Sequence, residues 1–216
     1  MIGFYNYTVI LTYVSLLISS VGIGFAATGR PFVALCCLMA SGICDMFDGK
    51  IARTRKKSTD EEKRFGIQLD SLCDIVCFGV LPASVGISLA EGQSSAVRIL
   101  SWALGALFIL CALIRLAYFN VTEETRQATE GGCRTHFMGV PVTTSAVIFP
   151  FVYALYILLA ELLPAVGPWV YPAFLLLTAL AFITPVQVGK PRASGLVILS
   201  LVGIAEAALL FWLILR

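Results

Sequence analysis

Charge is scarce in this chain. Of its 216 residues, 13% are Asp, Glu, Lys or Arg, against roughly 25% in an ordinary soluble domain. With 59% hydrophobic residues and a mean hydropathy of +0.92, this excludes a cytoplasmic globular enzyme built round one buried core. It excludes a disordered chain even more firmly. Metal-binding thiol patterns are missing too: there is no CxxC pair and no His-plus-Cys cluster, so neither a zinc nor an iron–sulfur site is expected. The chain has seven cysteines, but Cys36, Cys37, Cys44, Cys73, Cys77 and Cys111 lie in apolar runs and read as small buried side chains. Only Cys133 falls in a polar stretch. Tandem repeats and low-complexity segments are absent. No basic stretch precedes the first apolar run, which is long enough to remain as a span, so no cleaved signal peptide is expected.

Apolar runs are what the chain has in abundance. Seven occur, at about residues 8–27, 31–52, 65–90, 97–119, 140–163, 169–188 and 193–215, each near the twenty residues that carry a helix across a bilayer. The expectation is an all-α integral membrane protein, a polytopic helix bundle forming one membrane domain over residues 1–216. The last run reads as an extra C-terminal helix on a six-helix core, and Glu206 within it has no obvious partner. Lys and Arg set the orientation. Arg53, Arg55, Lys56, Lys57, Lys63 and Arg64 follow the second run, Arg126 and Arg134 the fourth, and Lys190 and Arg192 the sixth. The other side has only Arg30, Arg98 and Arg216. By the positive-inside rule the loops after even-numbered runs are cytoplasmic, which places the amino terminus inside. Thr28-Gly29-Arg30-Pro31 reads as a tight helical hairpin with Pro31 opening a helix. Ser58-Thr59-Asp60-Glu61-Glu62 reads as a helix amino terminus near Thr59, hydroxyl caps followed by acids.

Four aspartates stand out against this background. Asp45 and Asp48 lie near the cytoplasmic end of the second run, and Asp70 and Asp74 near the cytoplasmic start of the third. An acid at the centre of a membrane helix costs about 2.5–3.5 kcal/mol on insertion scales, and four on neighbouring helices repel one another. Such a cluster needs a cation or a wet cavity. The spacing brings them together: Asp45, Asp48, Gly49 and Ala52 share one helical face, and Gly66, Asp70 and Asp74 share another. Carboxylates converging from an antiparallel pair suit hard divalent cations, Mg²⁺ or Mn²⁺. Two such ions would make a two-metal site for phosphoryl chemistry. Gly49, Ala52 and Gly66 would leave a groove against which a flat ligand can lie, and Arg53 can reach a phosphate or a carboxylate. The plainer alternative for the small residues is helix packing, which does not explain the acids.

The stretches Asp45-Met46-Phe47-Asp48-Gly49-Lys50-Ile51-Ala52-Arg53 and Gly66-Ile67-Gln68-Leu69-Asp70-Ser71-Leu72-Cys73-Asp74 resemble the signature of the CDP-alcohol phosphotransferases, D-x2-D-G-x2-A-R followed by G-x3-D-x3-D. All eight fixed positions are present, with a spacer between the halves longer than is usual. The continuation from Gln68 to Ala83 is similar to the phosphatidylserine synthase branch, as are Arg115-Leu116-Ala117-Tyr118-Phe119-Asn120 and Phe137-Met138-Gly139-Val140-Pro141. Cys73, Cys77, Tyr118 and Val140 depart from that branch's usual residues. The resemblance covers about residues 8–190 and leaves the last run outside.

The resemblance implies the family's six-helix core and transfer of a phosphatidyl group from CDP-diacylglycerol to the hydroxyl of L-serine, giving phosphatidylserine and CMP. It implies that Asp45, Asp48, Asp70 and Asp74 hold two divalent ions. Asp48, Gly49, Ala52, Arg53 and Gly66 would bind the nucleotide end of CDP-diacylglycerol. Asp74 would be the general base, or mainly a ligand if an ion activates the hydroxyl. Arg115 and Asn120, at the cytoplasmic end of the fourth run, are the candidates for binding serine, and Arg115 is expected to have a partner because a cation in an apolar helix is costly; snorkelling to the interface is its alternative. His136 reads as a solvated loop residue. A homodimer in a bacterial cell membrane follows from the same likeness, and the Lys and Arg distribution turns the site to the cytoplasm. Two rival readings remain: the same transfer to glycerol 3-phosphate or inositol phosphate, and a divalent-cation transporter. A phosphorylated acceptor would want more basic residues than Arg115. A transporter would be expected to place its acids on broken helices near the midplane.

Overall fold

The computed structural model describes residues 3–4, 7–52, 59–129, 136–189 and 193–215. Helix α1 (Ile10–Ala27) follows a short 3₁₀ turn at Tyr7–Val9. It ends where Gly29 adopts φ +72 and the Arg30 N–H bonds back to the Phe25 carbonyl at 2.9 Å, a reversal that glycine makes without Cβ strain. Helix α2 (Pro31–Ala52) starts directly after it, so the expected tight hairpin is present.

Thr59 caps helix α3 (Asp60–Asp74) as its sequence predicts. The Thr59 hydroxyl accepts from the Glu62 N–H at 3.2 Å while the Glu62 carboxylate accepts from the Thr59 N–H at 3.1 Å. A π-helical turn, Ile75–Val80, then leads into α4 (Leu81–Ala90), with the Leu81 N–H bonded to the Val76 carbonyl. Helix α5 (Ser95–Thr129) continues about ten residues past the apolar run that announces it. Its polar end remains helical with Arg126 paired to Glu123 at 2.6 Å. At 35 residues it is about 52 Å long, more than a hydrocarbon core of about 30 Å requires.

Helices α6 (Ser145–Leu162), α7 (Gly167–Ile183) and α8 (Ala193–Leu215) complete the bundle. Helix α6 begins later than its apolar run because Gly139, Pro141 and a 3₁₀ turn at Val142–Thr144 occupy the approach. Helix α7 ends before its run does. Pro185 follows Thr184, whose backbone is extended, as a residue before proline prefers. The next residues form strand β2 (Gln187–Gly189), antiparallel to β1 (His136–Met138), with Phe137 opposite Val188. This small ribbon ties together the loops before α6 and after α7.

Among the described residues, five helical runs are long and apolar enough to cross a membrane: Ile10–Ala27, Pro31–Asp48, Asp60–Ala90, Ser95–Arg126 and Val142–Leu162. Gly167–Ile183 and Leu201–Leu213 are shorter apolar helices. Large apolar residues such as Leu17, Ile99, Leu113, Leu177 and Ile204 face outward, the surface a bilayer covers. The protein is thus a multi-pass helical membrane protein. Its centre is an aromatic cluster: Phe108 meets Phe149 at 5.3 Å and Phe182 at 5.4 Å, and Phe149 meets Tyr171 at 5.3 Å. The buried Tyr171 hydroxyl donates to the Pro82 carbonyl at 3.1 Å, satisfying the polar end of the ring. Helix α8 packs on α6 and buries Leu210 and Glu206. Among the described residues, the Glu206 Oε2 meets no hydrogen-bond partner.

Candidate active site

Helices α2 and α3 bring their acids together at one end of the bundle. One carboxylate oxygen each from Asp45, Asp70 and Asp74 lie within 4.8 Å of one another. Oxygens that share one cation at about 2.0–2.6 Å can be no more than about 4–5 Å apart, so this trio fits a common hard divalent ion. Asp48, one turn beyond Asp45, is 9% exposed. Its Oδ2 accepts from the Thr12 hydroxyl at 3.5 Å, and it lies beside Asp70. The charges of Asp45, Asp48 and Asp70 all act on Asp74. The four acids predicted to converge do so, and their mutual repulsion in a weakly screened environment is what a divalent cation would relieve.

The small residues are placed as follows. Gly49 and Ala52 continue α2 beyond Asp48. Gly66 lies one turn before Asp70, and a Cβ built there would meet none of the described residues within 4 Å. Among the described residues, the space beside α3 on the approach to the acids is therefore open. Arg53 lies outside the described residues, as do Arg55, Lys56, Lys57, Ser58, Cys133, Arg134, Lys190, Arg192 and Arg216.

Helix α5 borders the same site. Arg115 is 8% exposed; its Nε donates to the Val140 carbonyl at 3.1 Å, its guanidinium stands 5.0 Å from the Phe119 ring centroid, and its charge reaches Asp74. The expected partners of this buried cation are thus a backbone carbonyl, an aromatic face and the acidic cluster. The loop that delivers Val140 turns at Gly139, which has φ +75 and donates its N–H to the Val186 carbonyl at 2.7 Å. A Cβ there would stand 2.9 Å from the Phe182 carbonyl oxygen, so only glycine lets the loop lie against the end of α7. Asn120, the other α5 candidate, is engaged with α3: its Nδ2 donates to the Ser71 hydroxyl at 2.8 Å, and that hydroxyl donates to its Oδ1 at 3.1 Å.

Sequence reasoning missed a set of hydroxyls on α1. Thr12, Ser15 and Ser19 are all buried and share one face at i, i+3 and i+7. The Ser19 and Ser41 hydroxyls meet at 2.7 Å, Ser41 donates to the Ser15 carbonyl at 3.2 Å, and the Ser15 hydroxyl lies 3.5 Å from the Cys77 sulfur. The face was visible as three hydroxyls at helical spacing in an apolar run, and it marks where α1 meets α2.

Comparison with known proteins agrees with this arrangement. The sequence matches the family described as CDP-alcohol phosphatidyltransferase over residues 5–186. It is 36% identical over 140 residues to a CDP-diacylglycerol–serine O-phosphatidyltransferase of Saccharomyces cerevisiae, covering 60% of this chain and 45% of that protein. A protein of the same description from Helicobacter pylori is 34% identical over 125 residues, covering 57% of this chain and 47% of the relative. An archaetidylserine synthase of Methanothermobacter thermautotrophicus is 35% identical over 121 residues, covering 56% and 46%. The chain spans about half the length of the relatives it matches. The family match takes in the acidic helices α2 and α3, the bordering helix α5 and the bundle through α7: this chain belongs to the CDP-alcohol phosphatidyltransferase family.

Proposed function

We propose that the protein transfers the phosphatidyl group of CDP-diacylglycerol to the hydroxyl of L-serine, releasing phosphatidylserine and CMP. The observation that carries this reading is the meeting of Asp45, Asp48, Asp70 and Asp74 beside the buried Arg115 at one end of the bundle. The names of the relatives supply the substrates. Asp45, Asp48, Asp70 and Asp74 would hold two divalent ions, Mg²⁺ or Mn²⁺, which when bound neutralise the pyrophosphate and the CMP leaving group.

The chain's own residues do the rest. Gly49, Ala52, Arg53 and Gly66, with Asp48, form the nucleotide end of the site; the open space at Gly66 supports this. Arg115 takes the serine carboxylate, its guanidinium being a planar fork suited to that group. Asp74, which feels both the other acids and Arg115, accepts the proton of the serine hydroxyl. The serine oxygen bonds to the phosphatidyl phosphorus, the bond from that phosphorus to the CMP oxygen breaks, and CMP departs with the electron pair. The lipid tails stay in the bilayer while nucleotide and serine enter from water. The density of Lys and Arg in the loops after even-numbered apolar runs supports a cytoplasmic site and amino terminus in the cell membrane, and the protein is read as a homodimer.

The test is CMP release from CDP-diacylglycerol by the purified protein, with serine, glycerol 3-phosphate and inositol phosphate supplied in turn. Release with serine alone is the expected result. Release with glycerol 3-phosphate or inositol phosphate and none with serine would move the acceptor assignment. Metal uptake into proteoliposomes with no nucleotide requirement would replace the enzyme by a transporter.

A further inference from the structure

Helix α3 carries two of the four acids yet is lightly anchored. Cys73 is the buried residue of its fifteen, and the helix touches α1 and α5. Something must hold its acidic side toward α2 against the repulsion of the other carboxylates. Its contacts with α5 form an antiparallel series. Arg64 pairs with Glu124 at 3.1 Å, Ser71 with Asn120 at 2.8 Å, and Asp74 lies within the field of Arg115. From Arg64 to Asp74 is about 15 Å along α3, and from Glu124 to Arg115 about 13.5 Å along α5, so the two outer contacts bracket similar lengths of helix with Ser71 and Asn120 between them.

The rungs are unequal. Arg64 and Glu124 have side chains 76% and 68% exposed, and an ion pair in that setting holds little. Arg115 belongs to the site itself. The rung that is both partly buried and doubly hydrogen-bonded is Ser71 with Asn120. Ser71 sits about 100° round the helix from Asp70 and three residues before Asp74, so α3 cannot rotate to re-aim either acid without breaking it.

We propose that Ser71 and Asn120 are a positioning pair that fixes the rotation of α3 and so the aim of Asp70 and Asp74 into the acidic cluster. This rests on the proposed metal-dependent transfer and gives Asn120 a role other than contact with the acceptor. The Asn120 amide presents both its donor and its acceptor to Ser71, which is how an interhelical clamp is made.

The experiment measures Mn²⁺ binding directly, from the paramagnetic resonance of free Mn²⁺ in titrations of the purified full chain, alongside CMP release. Ser71→Ala and Asn120→Ala should each weaken Mn²⁺ binding about threefold to tenfold, the range of one interhelical hydrogen-bonded pair. The double variant should be no weaker than either single, because both remove the same clamp. Ser71→Thr, which keeps the hydroxyl, should restore binding, and the KM for serine should stay within about twofold throughout. Unchanged Mn²⁺ binding in both alanine variants would overturn the proposal. So would Asn120→Ala raising the KM for serine with Mn²⁺ binding intact, which is the mark of direct acceptor contact. Should Asn120→Ala fail to fold, Ser71→Ala against Ser71→Thr decides alone. If the wild type releases no CMP with serine while Mn²⁺ binding still follows this pattern, the acceptor assignment fails and the clamp stands.

Discussion

Asp74 is the residue on which the chemistry turns, because the three other acids and Arg115 all act on it. Asp74→Asn removes one of several crowded negative charges, so the bundle should fold and unfold thermally at or above the wild-type temperature. Turnover should fall by at least about a hundredfold, the lower range for loss of a general base. CMP release near the wild-type rate would remove Asp74 from both the base and the ligand roles. Arg115→Lys keeps a charge but loses the planar fork. It should raise the KM for serine about tenfold or more with a smaller change in kcat, read from steady-state CMP release; an unchanged KM would take Arg115 away from the acceptor. At this scale the sequence was informative where chemistry concentrates. Acids in an apolar run are too costly to be incidental, so Asp45, Asp48, Asp70 and Asp74 were recognisable from spacing alone. The Ser71–Asn120 pair and the Thr12–Asp48 contact were not, because serine, threonine and asparagine occur in membrane helices for several reasons and their partners lie 49 and 36 residues away.

Two glycines separate packing from binding at the scale of helices. Gly42 of α2 lies against α6, where an added Cβ would stand 2.6 Å from the Ala146 Cβ. Gly42→Leu should therefore overpack the α2–α6 contact and cost about 1–3 kcal/mol, seen as a lower melting temperature. Gly66 faces open space, so Gly66→Leu should leave the melting temperature within a degree or two and yet weaken CDP-diacylglycerol binding by filling the groove. Equal nucleotide affinity in Gly66→Leu and wild type would contradict the placement of the cytidine beside α3. Helix starts and the hairpin were readable because Thr59, Glu62, Gly29 and Pro31 act locally. The π turn at Ile75–Val80 and the β1–β2 ribbon were not. A π turn leaves no residue signature distinct from a helix, and a three-residue strand is set by its partner across the bundle rather than by its own sequence.

For the whole molecule, the apolar runs gave the bundle and its approximate helix order, while length alone misplaced several ends: α5 runs on to Thr129 and α7 stops at Ile183. Helix α8 lies beyond the family match and rests on α6. Because no acid of the cluster is on α8, a chain ending after residue 190 should keep Mn²⁺ binding while melting at a lower temperature, owing to the loss of the Leu210 contact. Loss of Mn²⁺ binding in a truncated chain that still unfolds cooperatively would show that α8 supports the site. The claim beneath all of this is that carboxylates from two neighbouring helices share divalent cations to transfer a phosphatidyl group. Its most direct test is serine-dependent CMP release from CDP-diacylglycerol, measured on purified protein before and after removal of divalent metal by a chelator. Release should vanish with the metal and return when Mg²⁺ or Mn²⁺ is restored; undiminished release in the chelator would contradict the account.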